Sequence, residues 1–458
     1  MNKFTRRGLL RGFGIAGVAA IGGSAFTGCA ATSTVAPAAT EPAAVTPAPT
    51  KAAQQVKVVF AAWGDPDSPW GKFCAHWIER FEATHENVTV EYQSTPWADY
   101  HTKLLTQVAG GAAPDAFAHS NVYYPKFIAK GGAAPLEELI ANDAEYGLDD
   151  FVPTSLRLST YQGKLYGLPH ISSVFTQVWN KQIFGELGLP SPNDLDAEGK
   201  WTWDTFLECA QKATKRDASG KAERLGYGGA WLDYRGVSSW AWQNGGDVLK
   251  QPDLDEFVLN LEPGAEAVQF MADLINKYRV APAAGEILVD TVSDFNTGRI
   301  AMFESWANLA ALGMDRHEVG DLVYPAKNKT RVTVLHTNSL GIFKGTKHLN
   351  LAWDLISLMT SKEGDLSQAE FGIGIVLRES NLDSMTEIFR QRFRVDHPEV
   401  VADIIRTGRT YDITETHAEE NDIFNPAIDE VAAGNKMAKE VLDAIKPEID
   451  ALLAARKR

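Results

Sequence analysis

The chain has 458 residues, 45% of them hydrophobic and 22% charged, which is ordinary for a soluble globular protein. A chain of this length exceeds what one hydrophobic core organises, so two or three domains are expected. The formal net charge of −15 argues against nucleic acid or an anionic membrane surface as the main partner.

The N-terminal 29 residues are predicted to be an export signal. Arg6 and Arg7 precede an apolar, glycine-rich run over 12–26, which is too short to span a membrane. The arginine pair resembles a twin-arginine signal, and the segment before and including Cys29 resembles a lipobox, whose cysteine is lipidated. A soluble exported protein is the alternative. Residues 30–55, mainly Ala, Thr and Pro, are expected to be a disordered tether.

The other two cysteines, Cys74 and Cys209, fall in predicted helices, where we expect buried free thiols. A bridge between them is the alternative. Three cysteines make neither a disulfide framework nor a metal cluster, and the ten histidines are scattered without ligand spacing. Neither a cofactor nor a metal is therefore expected.

Residues 56–119 alternate between strand and helix patterns, in the order strand, helix, strand, helix, strand. This order is typical of a parallel, doubly wound sheet, in which ligands bind beyond the carboxyl ends of the strands. Aromatic and polar side chains follow those ends, and they are candidate ligand-binding residues: Trp63, Asp65, Trp97, Ser120 and Asn121. For Trp97 alone, local packing in a surface turn is an equal alternative.

The segment 162–184 is interpreted as a crossing between two lobes. A polar turn is followed by a stretch stiffened by Pro169, and residues 173–179 then alternate like a buried strand. His170 lies inside this segment and is a candidate site residue. Further along, the glycine-rich stretch 226–247 contains many aromatic residues, which we interpret as a binding platform in irregular backbone. Trp231, Trp242 and Asn244 are its candidates.

Two later segments are predicted to cross between the lobes as well. The strand 302–306 contains Glu304, which needs a partner if it is buried; a sugar hydroxyl pair, a structural Arg and a backbone N–H are the options. Trp306 ends the same strand. The third crossing, 336–342, contributes Asn338 as a candidate.

Several short passages resemble one family. Residues 163–169 (GKLYGLP) and 179–184 (WNKQIF) resemble the "GK-YGLP … YNK-LF" passage of the family 1 extracellular solute-binding proteins of bacterial ABC importers. Weaker similarities follow at 201–206, at 294–302 and at the loop 371–380, which adds Arg378 as a candidate. The resemblance covers the chain from Val56 to its end.

The resemblance implies an α/β, two-lobed periplasmic-binding-protein-like fold, in which each lobe is a mainly parallel sheet flanked by helices, with three crossings. Lobe I is expected to comprise 56–171 and 304–337, and lobe II 172–303 and 338–458. The expected partners are a small solute, the transmembrane subunits of an ABC permease, and the membrane through a lipid on Cys29. We expect a monomer that works outside the cytoplasm.

Two functions remain open from the sequence. The first is a protein that captures a sugar between the lobes, because indole faces stack on pyranose rings and paired polar groups bind hydroxyls. The second is an exported hydrolase with a carboxylate pair. No pair of carboxylates is placed together by the sequence, and GxSxG, HExxH and P-loop patterns are absent. A binding protein is therefore favoured, but its solute is not identified.

Overall fold

The computed structural model describes residues 55–229, 232–283, 286, 291–307, 319–392 and 394–456. All of them belong to one unit of the chain, Ala53–Arg458. The predicted export signal, nearly all of the tether, Cys29 and Trp231 lie outside the described residues. Among the helices that are described, none combines the length and the apolar character needed to cross a bilayer.

The strands are β1 (Val56–Trp63), β2 (Val88–Thr95), β3 (Ala116–His119), β4 (Thr160–Tyr161), β5 (Lys164–Leu165), β6 (Gly167–Asn180), β7 (Lys215–Arg216), β8 (Ala222–Arg224), β9 (Met302–Trp306), β10 (Gly320–Val323) and β11 (Leu335–Ile342).

The α-helices are α1 (Pro69–Thr84), α2 (Trp97–Ala109), α3 (Tyr124–Ala129), α4 (Glu137–Asn142), α5 (Pro153–Leu156), α6 (Lys181–Glu186), α7 (Pro192–Ala197), α8 (Trp203–Ala213), α9 (Tyr234–Gln243), α10 (Glu262–Asn276), α11 (Thr291–Asn296), α12 (Leu349–Met359), α13 (Lys362–Phe371), α14 (Leu382–Arg392), α15 (Glu399–Thr407), α16 (His417–Ala432) and α17 (Ala438–Ala455). Short 3₁₀ turns occupy Leu148–Asp150, Arg157–Ser159 and Glu379–Asn381.

The first three strands form the predicted parallel arrangement, with β1 between β2 and β3. Local signals determine this part: Ser68 caps α1 by accepting a 3.1 Å hydrogen bond from the Gly71 amide, and Pro69 occupies the first turn. Cys74, on the buried face of α1, is a free thiol, as is Cys209 on α8, which confirms that expectation.

The rest of the main sheet is antiparallel. Its strand order is β10-β6-β11-β3-β1-β2, with β9 also paired to β6. β11 runs antiparallel to both β3 and β6, and β6 runs antiparallel to β9 and β10. The expectation of mainly parallel sheets is therefore wrong for β9, β10 and β11, which all pair antiparallel. These strands pair with the one long strand β6 from the opposite direction.

The two largest hydrophobic cores of the described residues share this sheet. The first core includes Phe73, Trp77 and residues of α12 to α15, and the second includes Trp240 and residues of α16 and α17. The strand β6 supplies both, because Val174 and Val178 face the first core while Phe175 and Trp179 face the second. Because successive side chains of a strand point to opposite faces of the sheet, β6 contributes side chains to both cores.

The helices α12 to α15 pack against α1 and the first core. The indole N–H of Trp77 on α1 donates to Ser367 Oγ at 3.0 Å, and the Phe73 and Phe371 ring centroids are 5.7 Å apart. Residues 349–407 therefore pack with the first core, whereas the sequence had assigned them to lobe II. The apolar faces of these helices could pack against either core, so the hydrophobic pattern alone does not predict which core they join.

Candidate functional site

The carboxyl ends of β1 and β3 carry a cluster of rings, the first cluster: Trp63, Trp97, His101, His119 and Tyr123. The Trp63 and Trp97 centroids are 5.2 Å apart in an edge-on arrangement, and His101 lies 4.9 Å from Trp97 and 4.6 Å from Tyr123. Trp97 is 49% exposed and Tyr123 40% exposed. The structure thus brings two sequence-predicted residues, Trp63 and Trp97, into a partly exposed aromatic surface.

His101 and His119 support this surface as neutral rings. Burial lowers the pKa of His101 to about 4 and holds the pKa of His119 well below its usual range. His101 Nε2 accepts a 3.2 Å hydrogen bond from the amide of Ser120. The side chains of these histidines were not predicted, although His101 lies one helical turn after Trp97 and could have been found from that spacing.

The polar candidates beside the first cluster have different surroundings. Asp65 is exposed, and its Oδ1 accepts a 2.9 Å hydrogen bond from the Asp67 amide in the turn before α1. Asn121 is buried: its amide donates to Thr337 Oγ1 at 3.1 Å, and its Oδ1 accepts from Ser339 Oγ at 2.8 Å. Asn121 therefore fastens the end of β3 to β11.

A second cluster lies around the start of β11 and consists of Trp306, His336, Asn338, Tyr411 and Arg235. The Tyr411 hydroxyl is 2.8 Å from His336 Nδ1, and His336 Nε2 is 3.2 Å from Asn338 Oδ1. Burial, reinforced by the charge of Arg235, lowers the pKa of His336 to about 4, so the ring is neutral. The Trp306 and His336 centroids are 5.6 Å apart.

Arg235 and Asp233, at the start of α9, complete the second cluster. Asp233 caps the helix, and its carboxylate also binds the Arg235 guanidinium. The guanidinium carbon lies 5.7 Å from the Trp306 ring centroid. Neither residue was predicted from the sequence, although an Asp immediately before a helical pattern is a recognisable cap.

The strand β11 connects the two clusters. Thr337 and Ser339 bind Asn121 beside the first cluster, whereas His336 and Asn338 belong to the second. Asn338 also donates a 3.0 Å hydrogen bond to the carbonyl of Ile171 in β6. The two clusters are therefore held at neighbouring strand ends, and this arrangement defines the candidate site.

Three sequence-predicted residues are engaged inside the protein instead. His170 is buried between Trp70 and Phe73, with centroids 4.9 and 5.0 Å away, and burial lowers its pKa to about 3. Asn244 donates to the Pro263 carbonyl at 2.7 Å. Arg378 donates to backbone carbonyls of Thr360, Gly147 and Tyr146. These contacts give all three a role in packing.

The aromatic stretch 226–247 is also mostly core. Trp240 and Trp242 lie on α9 and are buried, and Tyr227 is buried before it. The interpretation of irregular backbone is thus wrong for 234–243, where Val237, Trp240 and Ala241 follow helical spacing toward the second core. Trp242 is 2% exposed and lines a cavity of about 590 Å³ with Asp247, Arg409 and other residues.

Glu304 points into the second core. Its Oε2 accepts a 3.1 Å hydrogen bond from the Trp240 indole. Burial raises the pKa of Glu304 to about 7, although the neighbouring Trp240 and Tyr227 side chains act to lower it. The buried carboxyl thus accepts from an indole N–H, which was not among the partners expected from the sequence.

Known protein structures and protein families agree with this architecture. An ABC substrate-binding protein of Listeria monocytogenes, solved in complex with cycloalternan, superposes with a TM-score of 0.75 over 88% of this chain and 100% of its own, at 22% identity. The fold is thus the α/β fold of periplasmic binding proteins. Residues 67–365 match the bacterial extracellular solute-binding protein family. The chain belongs to that family.

Sequence relatives point the same way. A Brucella abortus (strain 2308) protein described as a binding protein is 25% identical over 316 residues, covering 66% of this chain and 72% of its own. The arabinooligosaccharide-binding protein of Bacillus subtilis (strain 168) is 28% identical over 191 residues, 42% of this chain and 41% of its own. The family consists of solute-binding proteins and not of enzymes, so the hydrolase alternative finds no support.

Proposed function

We propose that this chain is the extracytoplasmic solute-binding component of an ABC importer and that it captures a carbohydrate between two lobes. The observation that carries the proposal is the pairing of a partly exposed aromatic surface, Trp97 and Tyr123, with a polar second cluster on the neighbouring strand. A sugar ring offers an apolar face to indoles and a hydroxyl edge to polar groups. The relatives named above for arabinooligosaccharide and cycloalternan suit this class.

We infer the lobes of the predicted plan, with 56–171 and 304–337 in lobe I and 172–303 and 338–458 in lobe II, and with the helices of 349–407 packed back onto the first core. Three crossings, near His170, Glu304 and His336, join them. Polar pairs support a closed arrangement: Lys126 with Glu419 at 2.5 Å, and the Tyr161 hydroxyl with Glu415 at 2.8 Å. Each pair joins a residue of lobe I to a residue of lobe II.

The N-terminal segment supports delivery at the membrane. The twin-arginine pattern directs export, Cys29 receives the lipid, and residues 30–55 tether the folded part to the bilayer. The folded part then passes its solute to the transmembrane subunits of a permease, and it works as a monomer. Trp231 remains a predicted contact of the solute.

A thermal-shift screen tests the sugar assignment. Arabinotriose, maltotriose and cyclic glucans, each at about 100 times Kd, should raise the Tm of the full chain by about 1–3 °C if they bind. Trp97→Ala should abolish that rise while the unliganded variant stays folded with a slightly lower Tm, because the indole is 49% exposed but still packs against Trp63. Met437→Ala, another exposed apolar side chain, is the matched control and should keep the rise. A wild-type chain that no carbohydrate stabilises would contradict the assignment.

A further inference from the structure

The guanidinium of Arg235 is fixed in place before any solute arrives. Asp233 Oδ1 accepts from the amides of Arg235 and Gly236 at 2.9 and 3.0 Å, and Oδ2 accepts from Arg235 Nε at 2.9 Å and from Nη2. One carboxylate thus caps α9 and holds the planar fork of the arginine. A fork held in this way loses little side-chain freedom when it binds a ligand.

Trp306 is almost fully buried, and Arg235 lies over one face of its ring. Only 8% of it is exposed, its ring meets Phe175 edge-on at 4.2 Å, and the Arg235 guanidinium carbon lies 5.7 Å from its centroid. The side chain of Arg235, in contrast, is 36% exposed and that of Asp233 is 32% exposed. A solute entering this end of the site therefore meets Arg235 and Asp233 before it meets the indole.

We propose that Arg235 and Asp233 are the solute-contacting residues at this end, and that Trp306 supports Arg235 from below instead of stacking on the solute. The inference rests on the proposed function and deepens it. Because Asp233 balances the charge of Arg235, the pair favours a neutral, hydroxyl-rich solute over a uronate or a sugar phosphate. Hydroxyl oxygens accept from the guanidinium, and hydroxyl protons are donated to the carboxylate.

Calorimetric titration of the full chain with arabinotriose, maltotriose and trigalacturonate tests this assignment. Arg235→Ala should weaken binding of the best neutral sugar by about 30-fold, since charge-assisted hydrogen bonds are lost. Arg235→Lys should cost about 10-fold, because an ammonium keeps the charge but lacks the fork. Trp306→Phe should cost only about 3-fold, since a phenyl ring still supports the cation.

Asp233→Asn provides a readout that a purely structural role would not change. Asparagine also caps helices, so the fold is retained, but the carboxylate charge is removed. The ratio of trigalacturonate to neutral-sugar affinity should rise about 10-fold in this variant, as expected for an unbalanced cation next to an anionic ligand.

Arg80 is a matched control, because it lies 4.7 Å from the Trp77 centroid and pairs with Glu363, away from both clusters. Arg80→Ala should leave every affinity unchanged. If Arg235→Ala binds the sugar as tightly as wild type or more tightly, the indole is the contact and this inference is overturned while the proposed function stands. If no sugar binds the wild-type chain, the proposed function and its deepening are both overturned.

Discussion

The carboxyl group of Glu304 shows how a single polar residue is accommodated in the second core. Its hydrogen-bond donor Trp240 and its neighbour Tyr227 are both more than 60 residues away in the sequence. A charged residue in an apolar strand signals that a partner exists, but not whether that partner is a ligand or a neighbouring side chain. The sequence therefore predicts that Glu304 needs a hydrogen-bonding partner, but it does not predict which group is that partner.

The raised pKa of Glu304 predicts a pH-dependent stability. The carboxyl binds its proton more tightly when folded, at about 7 against an ordinary 4.5, so its stabilising contribution is complete below pH 4.5 and is lost as the pH rises through 7. Glu304→Gln mimics the protonated form. In urea unfolding, the free energy of this variant relative to wild type should therefore rise by about 3 kcal/mol between pH 4.5 and pH 8. A difference that does not change with pH would show that the carboxyl is ionised in the fold.

At the level of elements, the long strand β6 contains a strained residue. Ile171 has a φ of +45°, a left-handed conformation that is rare for a β-branched side chain. Both of its backbone polar atoms are held, because the amide donates to Gln368 Oε1 at 2.8 Å and the carbonyl accepts from Asn338. The opposite strand shifts register between His336 and Asn338. These contacts compensate for a strain of about 1–2 kcal/mol.

Because of this strain, we expect glycine to be more stable than alanine at position 171, which reverses the usual order of these two residues in a strand. Glycine adopts positive φ without penalty, so Ile171→Gly should be more stable than Ile171→Ala by about 1 kcal/mol in denaturant unfolding. At Val90, a half-buried residue of β2, the order should be the usual one, with alanine more stable than glycine. If alanine is the more stable variant at both positions, Ile171 is not strained in the protein in solution.

The elements differ in how far local pattern predicts them. The cap at Ser68, the helix α1 and the strand β1 are readable, because their signals lie within a few residues. The helix α9 is less readable, because its flanking glycines favour irregular backbone although the spacing of Val237 and Trp240 is typical of a helix. The strand β6 begins before the predicted strand 173–179, because the extended stretch that contains Pro169 is part of it.

At the scale of the whole molecule, the parallel first half could be predicted and the pairing of the remaining strands could not. When a helix connects two successive strands of one sheet, the two strands run parallel, so the direction of β1, β2 and β3 follows from the order of elements. The antiparallel partners of β6 come from positions 302–306, 320–323 and 335–341, and no local signal specifies which of them pair. The same limit applies to the site, where Trp63 and Trp97 were predicted but the Asp233–Arg235 pair was not.

A crystal structure with the best-binding carbohydrate of the screen tests the central claim most directly, namely that the solute lies between the two clusters. Electron density for a sugar ring should lie against Trp97 and Tyr123, with its hydroxyl edge toward Arg235 and Asn338. Sugar density in the cavity beside Trp242 and Arg409, with none between the clusters, would contradict the account.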